Sequence, residues 1–149
     1  MKKIKTNSKI CTGCSLCTMA CSITKLGVAN PHKGAIAISR DPWKRKEKIT
    51  VCEQCKKAKC IEACSEGALY YDEDAVVRVK QEACTKCGAC VDACPFEAIR
   101  LIDDRLIKCD LCENGTPKCL RVCSTGAIQL LETQVTTASP AQRGPVNVV

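Results

Sequence analysis

The chain has 149 residues, and 16 of them are cysteine, a share of about 11% that is far above that of ordinary globular proteins. The hydrophobic fraction of 46% includes these cysteines, so about 35% of the chain remains to build an apolar core. This composition excludes a fold held by a large hydrophobic core alone, because a small domain with so thin a core usually needs disulfides or metal to fold.

The N-terminal residues and the hydropathy pattern predict a cytoplasmic protein. No run of 18 apolar residues is present, and Met1 to Lys5 is rich in lysine without an apolar signal segment. We therefore expect neither export nor direct membrane insertion. In a reducing compartment, clustered cysteines more often bind metal than form disulfides.

The formal net charge of +7 would by itself suggest a partner such as nucleic acid. Metal-binding cysteines are thiolates, however, and 16 thiolates around four clusters of core charge about +2 would bring the net charge to about −1. The lysine excess is then local compensation for buried negative charge. Nucleic acid is not an expected partner, and the basic residues 44–48 are interpreted as a solvated loop.

The cysteines form four groups of four, and every group begins with C-x2-C and ends with C-x3-C. Such repetition indicates one structural unit that is used four times. In chain order, group one is Cys11, Cys14, Cys17 and Cys21; group two is Cys52, Cys55, Cys60 and Cys64; group three is Cys84, Cys87, Cys90 and Cys94; and group four is Cys109, Cys112, Cys119 and Cys123.

Short strands and single helical turns are predicted around these groups, so the expected fold class is α+β. Helical turns are expected near the end of each group, at residues 16–22, 60–65, 90–94 and 119–123. Seven short apolar and β-branched runs predict strands at residues 35–39, 49–51, 68–71, 75–79, 98–102, 106–107 and 127–131. The polar segments 72–74 and 103–105 are short enough for tight turns, so each predicts a β-hairpin.

A shared phrase follows the closing cysteine in the last three groups, at residues 65–69, 95–99 and 124–128. It predicts a turn that enters a strand. Residues 132–149 are rich in Thr, Pro and small residues without periodicity, and we interpret them as a C-terminal tail. Disorder and an extended arm lying on a partner are both open for this tail.

The cysteine spacing predicts iron-sulfur clusters. Three cysteines within seven residues, as in groups one and three, can converge only on a compact multi-atom centre. The fourth follows four residues later, and in a helical segment it lies about 6 Å along the axis, where it faces a neighbouring centre. Group three with Pro95 matches C-x2-C-x2-C-x3-C-P of two-cluster ferredoxins at every position. We therefore expect four [4Fe-4S] clusters.

Zinc and disulfides are the alternatives to iron and sulfur. Structural zinc normally takes two C-x2-C pairs that are a dozen or more residues apart, and a third cysteine three places on adds nothing to such a site. The crowding of the cysteines and the reducing compartment both disfavour disulfides.

Group four and its surroundings resemble the signature of the four-cluster ferredoxin-like electron-transfer subunits, with Lys-Cys-Asp-Leu-Cys-Glu-Asn-Gly-Thr-Pro-Lys-Cys-Leu-Arg-Val-Cys over residues 108–123. These subunits accompany molybdenum, tungsten or nickel-iron enzymes, and those of dimethyl sulfoxide reductase and carbon monoxide dehydrogenase are of this type. The resemblance covers residues 3–131. It implies a polyferredoxin domain over residues 1–131 with tandem ferredoxin-like halves, an inner half of about 49–104 and an outer half of about 1–48 plus 105–131.

In that family the first group pairs with the fourth and the second with the third, and the closing cysteines are exchanged within each pair. The ligand sets that the resemblance implies are Cys11, Cys14, Cys17 with Cys123; Cys109, Cys112, Cys119 with Cys21; Cys52, Cys55, Cys60 with Cys94; and Cys84, Cys87, Cys90 with Cys64. Spacing alone agrees with an exchange but does not choose the pairing. Ala58 stands where family members often have proline, which removes no ligand.

No catalytic apparatus is predicted, since the only histidine, His32, lies in the turn-like segment 30–34 and no phosphate-binding loop is present. The leading hypothesis is a non-catalytic electron-transfer subunit between a catalytic metalloenzyme subunit and a second redox subunit or carrier. The resemblance favours a tungsten or molybdenum aldehyde oxidoreductase or related reductase as the partner, with nickel-iron enzymes open. A free polyferredoxin and a zinc-held structural module are the alternatives.

The charges near the groups predict different cluster potentials. The residues between Cys11 and Cys21 are uncharged, whereas Lys56, Lys57 and Lys59 outnumber the acidic residues in group two. A nearby cation stabilises the more negative, reduced state of a cluster. We therefore expect the group-one cluster to have the lower potential unless these lysines are screened by water.

Overall fold

The computed structural model describes residues 2–41, 43, 46–112 and 116–132. Over these ranges the chain forms short antiparallel strands and a few helices, in agreement with the predicted α+β class. The elements are, in chain order, β1 (Lys2–Thr6), α1 (Leu16–Leu26), β2 (Ala37–Asp41), β3 (Lys46–Thr50), α2 (Lys59–Glu62), β4 (Leu69–Tyr71), β5 (Val77–Val79), a 3-10 turn (Gln81–Ala83), α3 (Ala89–Asp92), β6 (Ile99–Ile102), β7 (Arg105–Lys108), α4 (Lys118–Arg121) and β8 (Ile128–Glu132).

The strands pair into four separate two-stranded antiparallel sheets. Three of these sheets join neighbouring strands, namely β2 with β3, β4 with β5 and β6 with β7. The fourth joins β1 with β8 from the far end of the described chain, with Ile4 opposite Leu130. Because β1 leads into group one and β8 follows group four, this sheet brings the first and last cysteine groups together.

The two hairpins predicted from polar turn segments are confirmed. In the β4–β5 hairpin the Asp72 carboxylate accepts hydrogen bonds from the backbone N–H of Asp74 at 3.0 Å and of Val76 at 2.8 Å. In the β6–β7 hairpin Asp103 and Asp104 both have positive φ, at 47° and 58°, as a two-residue type I′ turn requires. Aspartate is well suited to both turns because its short side chain bonds to nearby backbone and tolerates left-handed geometry.

Strand β1 was not predicted from the sequence. Its residues Lys2–Thr6 carry three lysines and a single fully buried apolar side chain, Ile4, which is 1% exposed. A segment with so little apolar character forms a strand only because β8 supplies the partner, and that contact joins residues more than 120 positions apart. Strand β8 also extends to Glu132, one residue into the predicted tail, and the rest of the tail lies outside the described residues.

The helices α2, α3 and α4 are single turns, as predicted, but α1 has 11 residues and three turns. In group one the chain continues past Cys21 without a helix-breaking residue until Gly27, which caps the helix with φ 72° and donates its N–H to Ile23 O at 2.9 Å. In the other groups the helix ends two positions before the closing cysteine, at Glu62, Asp92 and Arg121.

Cysteine side chains form a large part of the buried interior. The larger buried cluster combines Ile4, Ile36, Ile107 and Ile128 with five buried cysteines, Cys17, Cys21, Cys52, Cys109 and Cys119. A smaller cluster packs Cys60 and Cys90 against short aliphatic residues. In the part of the chain that the structure describes, no helix is long and apolar enough to cross a membrane.

Candidate functional site

All four C-x2-C loops have a left-handed residue at the same position. The second residue inside each pair has positive φ: Gly13 at 68°, Gln54 at 49°, Lys86 at 60° and Leu111 at 62°. Only the first is glycine, so at the other three positions the chain accepts a left-handed strain of roughly 1–2 kcal/mol each. The bend turns backbone N–H groups toward sulfur, with Gly13 N 3.4 Å from Cys11 Sγ and Gln54 N 3.5 Å from Cys52 Sγ.

The shared phrase after the closing cysteines forms the predicted turn into a strand, and it also supplies a hydrogen bond to sulfur. The left-handed residues of these turns are Gly67, Glu97 and Gly126. The following alanine donates its N–H to the closing cysteine, in the pairs Ala68 with Cys64 Sγ at 3.3 Å, Ala98 with Cys94 Sγ at 3.4 Å, and Ala127 with Cys123. In group one, which lacks the phrase, Ala35 N makes this bond to Cys21 Sγ at 3.2 Å.

The structure brings the thiols together in four mixed sets rather than in the four sequence groups. In each set, burial raises the pKa of a cysteine and neighbouring thiols raise it further: Cys11, Cys14 and Cys123 that of Cys17; Cys109, Cys112 and Cys21 that of Cys119; Cys52 and Cys94 those of Cys55 and Cys60; and Cys84, Cys87 and Cys64 that of Cys90. We name them set 1 (with Cys11), set 4 (with Cys109), set 2 (with Cys52) and set 3 (with Cys84). In each set, three cysteines of one group meet the closing cysteine of another.

Two of these sets line cavities. The four thiols of set 2 line one small cavity, together with Ala58, Val77 and Ile99. The four thiols of set 3 line another, together with Ala68 and Leu106. The helix packing agrees with this arrangement, because α2 contacts α3 and α1 contacts α4.

Burial raises the pKa of the thiols inside these sets. The pKa of Cys17 and of Cys60 rises to about 11, and that of Cys109 to about 12. At Cys123 burial acts in the same direction, but the Thr125 hydroxyl and backbone N–H groups outweigh it and lower the pKa. Buried thiols with raised pKa values stay protonated at neutral pH unless a metal displaces their protons.

The donor sets fit the predicted [4Fe-4S] clusters. All 16 thiols are free of disulfides. Across residues 2–41, 43, 46–112 and 116–132, no three His, Cys, Asp or Glu side chains surround a point suited to one metal ion. Each set offers four soft thiol ligands, with N–H groups aimed at sulfur, which is the environment that holds and tunes iron-sulfur clusters.

The loop between Cys55 and Cys60 is held by a residue that the sequence did not indicate. The Tyr71 hydroxyl accepts the N–H of Ala58 at 2.9 Å and lies within hydrogen-bond distance of the carbonyl oxygens of Cys55 at 2.9 Å and Lys56 at 3.0 Å. This contact secures the four-residue spacing that distinguishes group two from groups one and three. His32 lies in a turn, as expected, with its N–H bonded to Asn30 Oδ1 at 2.9 Å.

Exposure differs sharply among the charged and cysteine residues of the site. The three lysines expected to raise the group-two potential, Lys56, Lys57 and Lys59, are all exposed, so water screens their charges. Among the cysteines only Cys14 of set 1 and Cys87 of set 3 are exposed. Sets 1 and 3 therefore reach the surface of the chain, and sets 2 and 4 lie further inside.

A buried lysine that the sequence analysis overlooked lies between the inner sets. Lys108 is 3% exposed, and its charge lowers the pKa of Cys60 in set 2 and of Cys109 in set 4 against the larger effect of burial. Gln54, which is fully buried, lies beside it. The sequence gives one indication that Lys108 is buried, since it directly follows the apolar run 106–107 and precedes the first cysteine of group four.

An ion network centred on Asp110 connects separate parts of the fold. Its carboxylate pairs with Lys25 of α1 and lies 4.0 Å from Arg78 Nη1 of β5, which also donates to Asp110 O at 2.9 Å. Arg78 in turn pairs with Asp72 at 2.6 Å. Burial alone would raise the pKa of Asp110, but the hydrogen bond and charge of Lys25 lower it. The Asp110 side chain is only 14% exposed, so the network is more than a surface contact.

We expect the substitution Asp110→Asn to lower the free energy of unfolding of the metal-loaded protein by about 1–3 kcal/mol, because two largely buried cations lose their shared carboxylate. Anaerobic denaturant titration followed by circular dichroism measures this change. The matched control is Asp104→Asn, since Asp104 pairs with Lys86 at 3.8 Å and is 85% exposed. An equal change in the two variants would contradict a structural role for the network.

Comparison with known proteins places the chain among iron-sulfur proteins. Residues 48–133 match the family described as "4Fe-4S dicluster domain". An uncharacterized ferredoxin of Methanocaldococcus jannaschii is 34% identical over 132 residues, covering 89% of this chain and 74% of the relative. The polyferredoxin-like subunit of the aliphatic sulfonate oxidoreductase of Pyrococcus furiosus is 37% identical over 119 residues, covering 76% of this chain and 66% of that subunit.

Two further similarities extend this picture. The thiosulfate reductase electron transfer subunit PhsB of Salmonella typhi is 29% identical over 141 residues, covering 83% of this chain and 71% of that subunit. Among solved structures, a chain of the active-site complex BamBC of benzoyl coenzyme A reductase aligns with a TM-score of 0.56 at 24% identity, covering 93% of this chain and 82% of that one. The similarity to the BamBC chain concerns the fold alone.

Proposed function

Because the chain belongs to the family of 4Fe-4S dicluster domains, we propose that it is an electron-transfer subunit of an oxidoreductase complex and that it carries four [4Fe-4S] clusters. The observation that carries this proposal is the gathering of the 16 thiols into four sets of four. The names of two relatives, a polyferredoxin-like subunit and an electron transfer subunit, support the same role.

In this proposal each set ligates one cluster, so that the closing cysteine of every group serves the cluster of its paired group. Sets 1 and 4 would exchange Cys123 and Cys21, and sets 2 and 3 would exchange Cys94 and Cys64. The proximity of these thiols within the mixed sets supports the exchange. When bound, the clusters supply sites that each accept and release one electron, while the protein holds and orders their ligands.

The contacts between sets support a linear series in the order 1, 4, 2, 3. Charge interactions connect Cys17 of set 1 with Cys119 of set 4, and Cys109 of set 4 with Cys52 of set 2. Sets 2 and 3 meet where α2 packs against α3. The exposed Cys14 and Cys87 then mark the two ends of the series, and electrons would enter and leave there.

We also propose that the chain is organised in an outer and an inner ferredoxin-like half, on the basis of strand pairing and helix packing. The outer half, about 1–48 plus 105–131, is supported by the β1–β8 sheet and the contact of α1 with α4. The inner half, about 49–104, is supported by the β4–β5 hairpin and the contact of α2 with α3. The turn between β6 and β7 then forms the passage from the inner to the outer half.

The partner that we propose is a catalytic subunit with tungsten or molybdenum, of the aldehyde oxidoreductase or a related reductase type, with a second redox subunit or carrier at the other end. This chain would then contribute electron transfer rather than catalysis, in the cytoplasm. The support comes from relatives named as subunits of an aliphatic sulfonate oxidoreductase and of a thiosulfate reductase.

Anaerobic purification of the chain from its native cells tests this function. We expect it to elute from gel filtration well above 16.1 kDa and together with a larger polypeptide that contains tungsten or molybdenum. An aldehyde substrate should then reduce the clusters, whereas the substrate of a reductase should oxidise clusters that were reduced beforehand, as seen by electron paramagnetic resonance (EPR). Elution of iron-loaded chain alone near 16.1 kDa would instead identify a free polyferredoxin.

A further inference from the structure

The ammonium group of Lys108 is enclosed by hydrogen-bond acceptors. Its Nζ lies 2.9 Å from Val77 O, 2.9 Å from Cys109 O and 3.5 Å from Gln54 Oε1. Three acceptors require three N–H donors, which the protonated amine has and the neutral amine lacks. The geometry therefore suits a fixed positive charge in a residue that is 3% exposed.

Gln54 fixes the position of this charge. Its Nε2 donates to Cys109 O at 2.8 Å, and its Oε1 accepts the N–H of Val77 at 3.0 Å while it faces Lys108. The side chains of Gln54 and Lys108 thus both bond to the backbone of Val77 in β5 and of Cys109 in group four. A side chain with one donating and one accepting end fits both neighbours, and Gln54 has no exposed surface.

No carboxylate of the described residues lies within ion-pair distance of Lys108, in contrast with Lys25, which pairs with Asp110. Burying a charge without a counter-charge is unfavourable. The negative charge that Lys108 faces is then supplied by the thiolates on either side, when they are deprotonated by metal.

Lys108 lies beside both set 4 and set 2. Its Nζ is bonded to the carbonyl of Cys109, a member of set 4. Its other backbone acceptor belongs to Val77, which lines the cavity bordered by the thiols of set 2. Gln54 lies inside the C-x2-C loop of set 2, and its backbone N–H donates to Cys52 Sγ at 3.5 Å. The lysine therefore lies at the junction of sets 2 and 4.

We propose that Lys108, positioned by Gln54, is a residue that raises the potentials of the two clusters of sets 2 and 4 relative to those of sets 1 and 3. This inference rests on the proposed function, because it requires clusters in these sets. An added electron makes a cluster more negative, and a buried cation stabilises that reduced state far more than an exposed, screened cation does. Electrons would then be held in the middle of the series and shared between sets 2 and 4.

The test is EPR-monitored redox titration of the metal-loaded variant Lys108→Met, which keeps the length and apolar stem but removes the charge. We expect the midpoint potentials of the clusters in sets 2 and 4 to fall, so that their reduced-to-oxidised ratio at a fixed potential drops about tenfold, which corresponds to about 59 mV. The clusters of sets 1 and 3 should change less. The control is Lys59→Met, which removes an exposed lysine beside Cys60 and should leave all four potentials unchanged.

A second variant removes the charge of Lys108 but keeps a hydrogen-bond donor. Lys108→Gln should lower the same two potentials, so a Lys108→Met variant that loses a cluster still leaves the inference testable. Unchanged potentials in either loaded variant, or equal shifts in all four clusters, would overturn it. Iron and sulfide analysis of the wild type is done first, because fewer than four clusters there would contradict the proposed function and not the role of Lys108.

Discussion

Removal of iron from the reduced protein will abolish its far-UV circular dichroism signal and its cooperative melting together. The reason lies in the interior, where five cysteines share the larger buried cluster with short aliphatic residues. Cysteines take the place of larger apolar side chains in that cluster, and the sheets are only two strands wide, which is too small for independent stability. Metal binding and folding are therefore coupled, as in other small metal domains.

The control for this experiment is incubation with the same reductant without chelator, which should leave the signal intact. Addition of iron and sulfide to the chelated sample should restore it. A sharp thermal transition in iron-free protein would contradict the coupling, because it would show that the apolar residues alone sustain the fold.

The substitution Cys94→Ser will damage the cluster of set 2 and leave the cluster of set 3 with all its ligands. Cys94 belongs by sequence to group three, but its sulfur lies with Cys52, Cys55 and Cys60 in space. The variant should lose up to about a quarter of its iron, since one of the four proposed clusters loses a ligand. EPR and iron analysis measure the loss and identify the damaged cluster by its potential.

Cys64→Ser is the matched reciprocal variant, because Cys64 closes group two but lies with Cys84, Cys87 and Cys90. It should damage set 3 and leave set 2 complete. If each variant instead damages the cluster of its own sequence group, the closing cysteines are not exchanged. The ligand sets proposed here would then be wrong.

Local spacing was sufficient to predict the parts of the site that depend on near neighbours in sequence. The hairpin turns at Asp72 and at Asp103 and the turns that precede Ala68, Ala98 and Ala127 all follow from residues within a few positions of one another. For the same reason the three single-turn helices were predictable, whereas α1 was underestimated because its end depends on Gly27, six residues beyond Cys21.

Contacts between distant residues could not be predicted in the same way. Strand β1 is rich in lysine and gains its order from β8, so its own residues give little sign of a strand. The burial of Lys108 depends on Gln54 and Val77, which lie 54 and 31 positions away in sequence. Sequence reasoning therefore favoured Lys56, Lys57 and Lys59, which lie near cysteines along the chain but point into water.

Quantitative iron, sulfide and zinc analysis of anaerobically purified chain measures its cluster content. We expect about 16 iron and about 16 acid-labile sulfide atoms per chain, because four sets of four thiols would each hold one [4Fe-4S] cluster. Zinc should be below one atom per chain. A chain that holds about eight iron atoms, or about four zinc atoms without sulfide, would show that the four sets do not hold four [4Fe-4S] clusters.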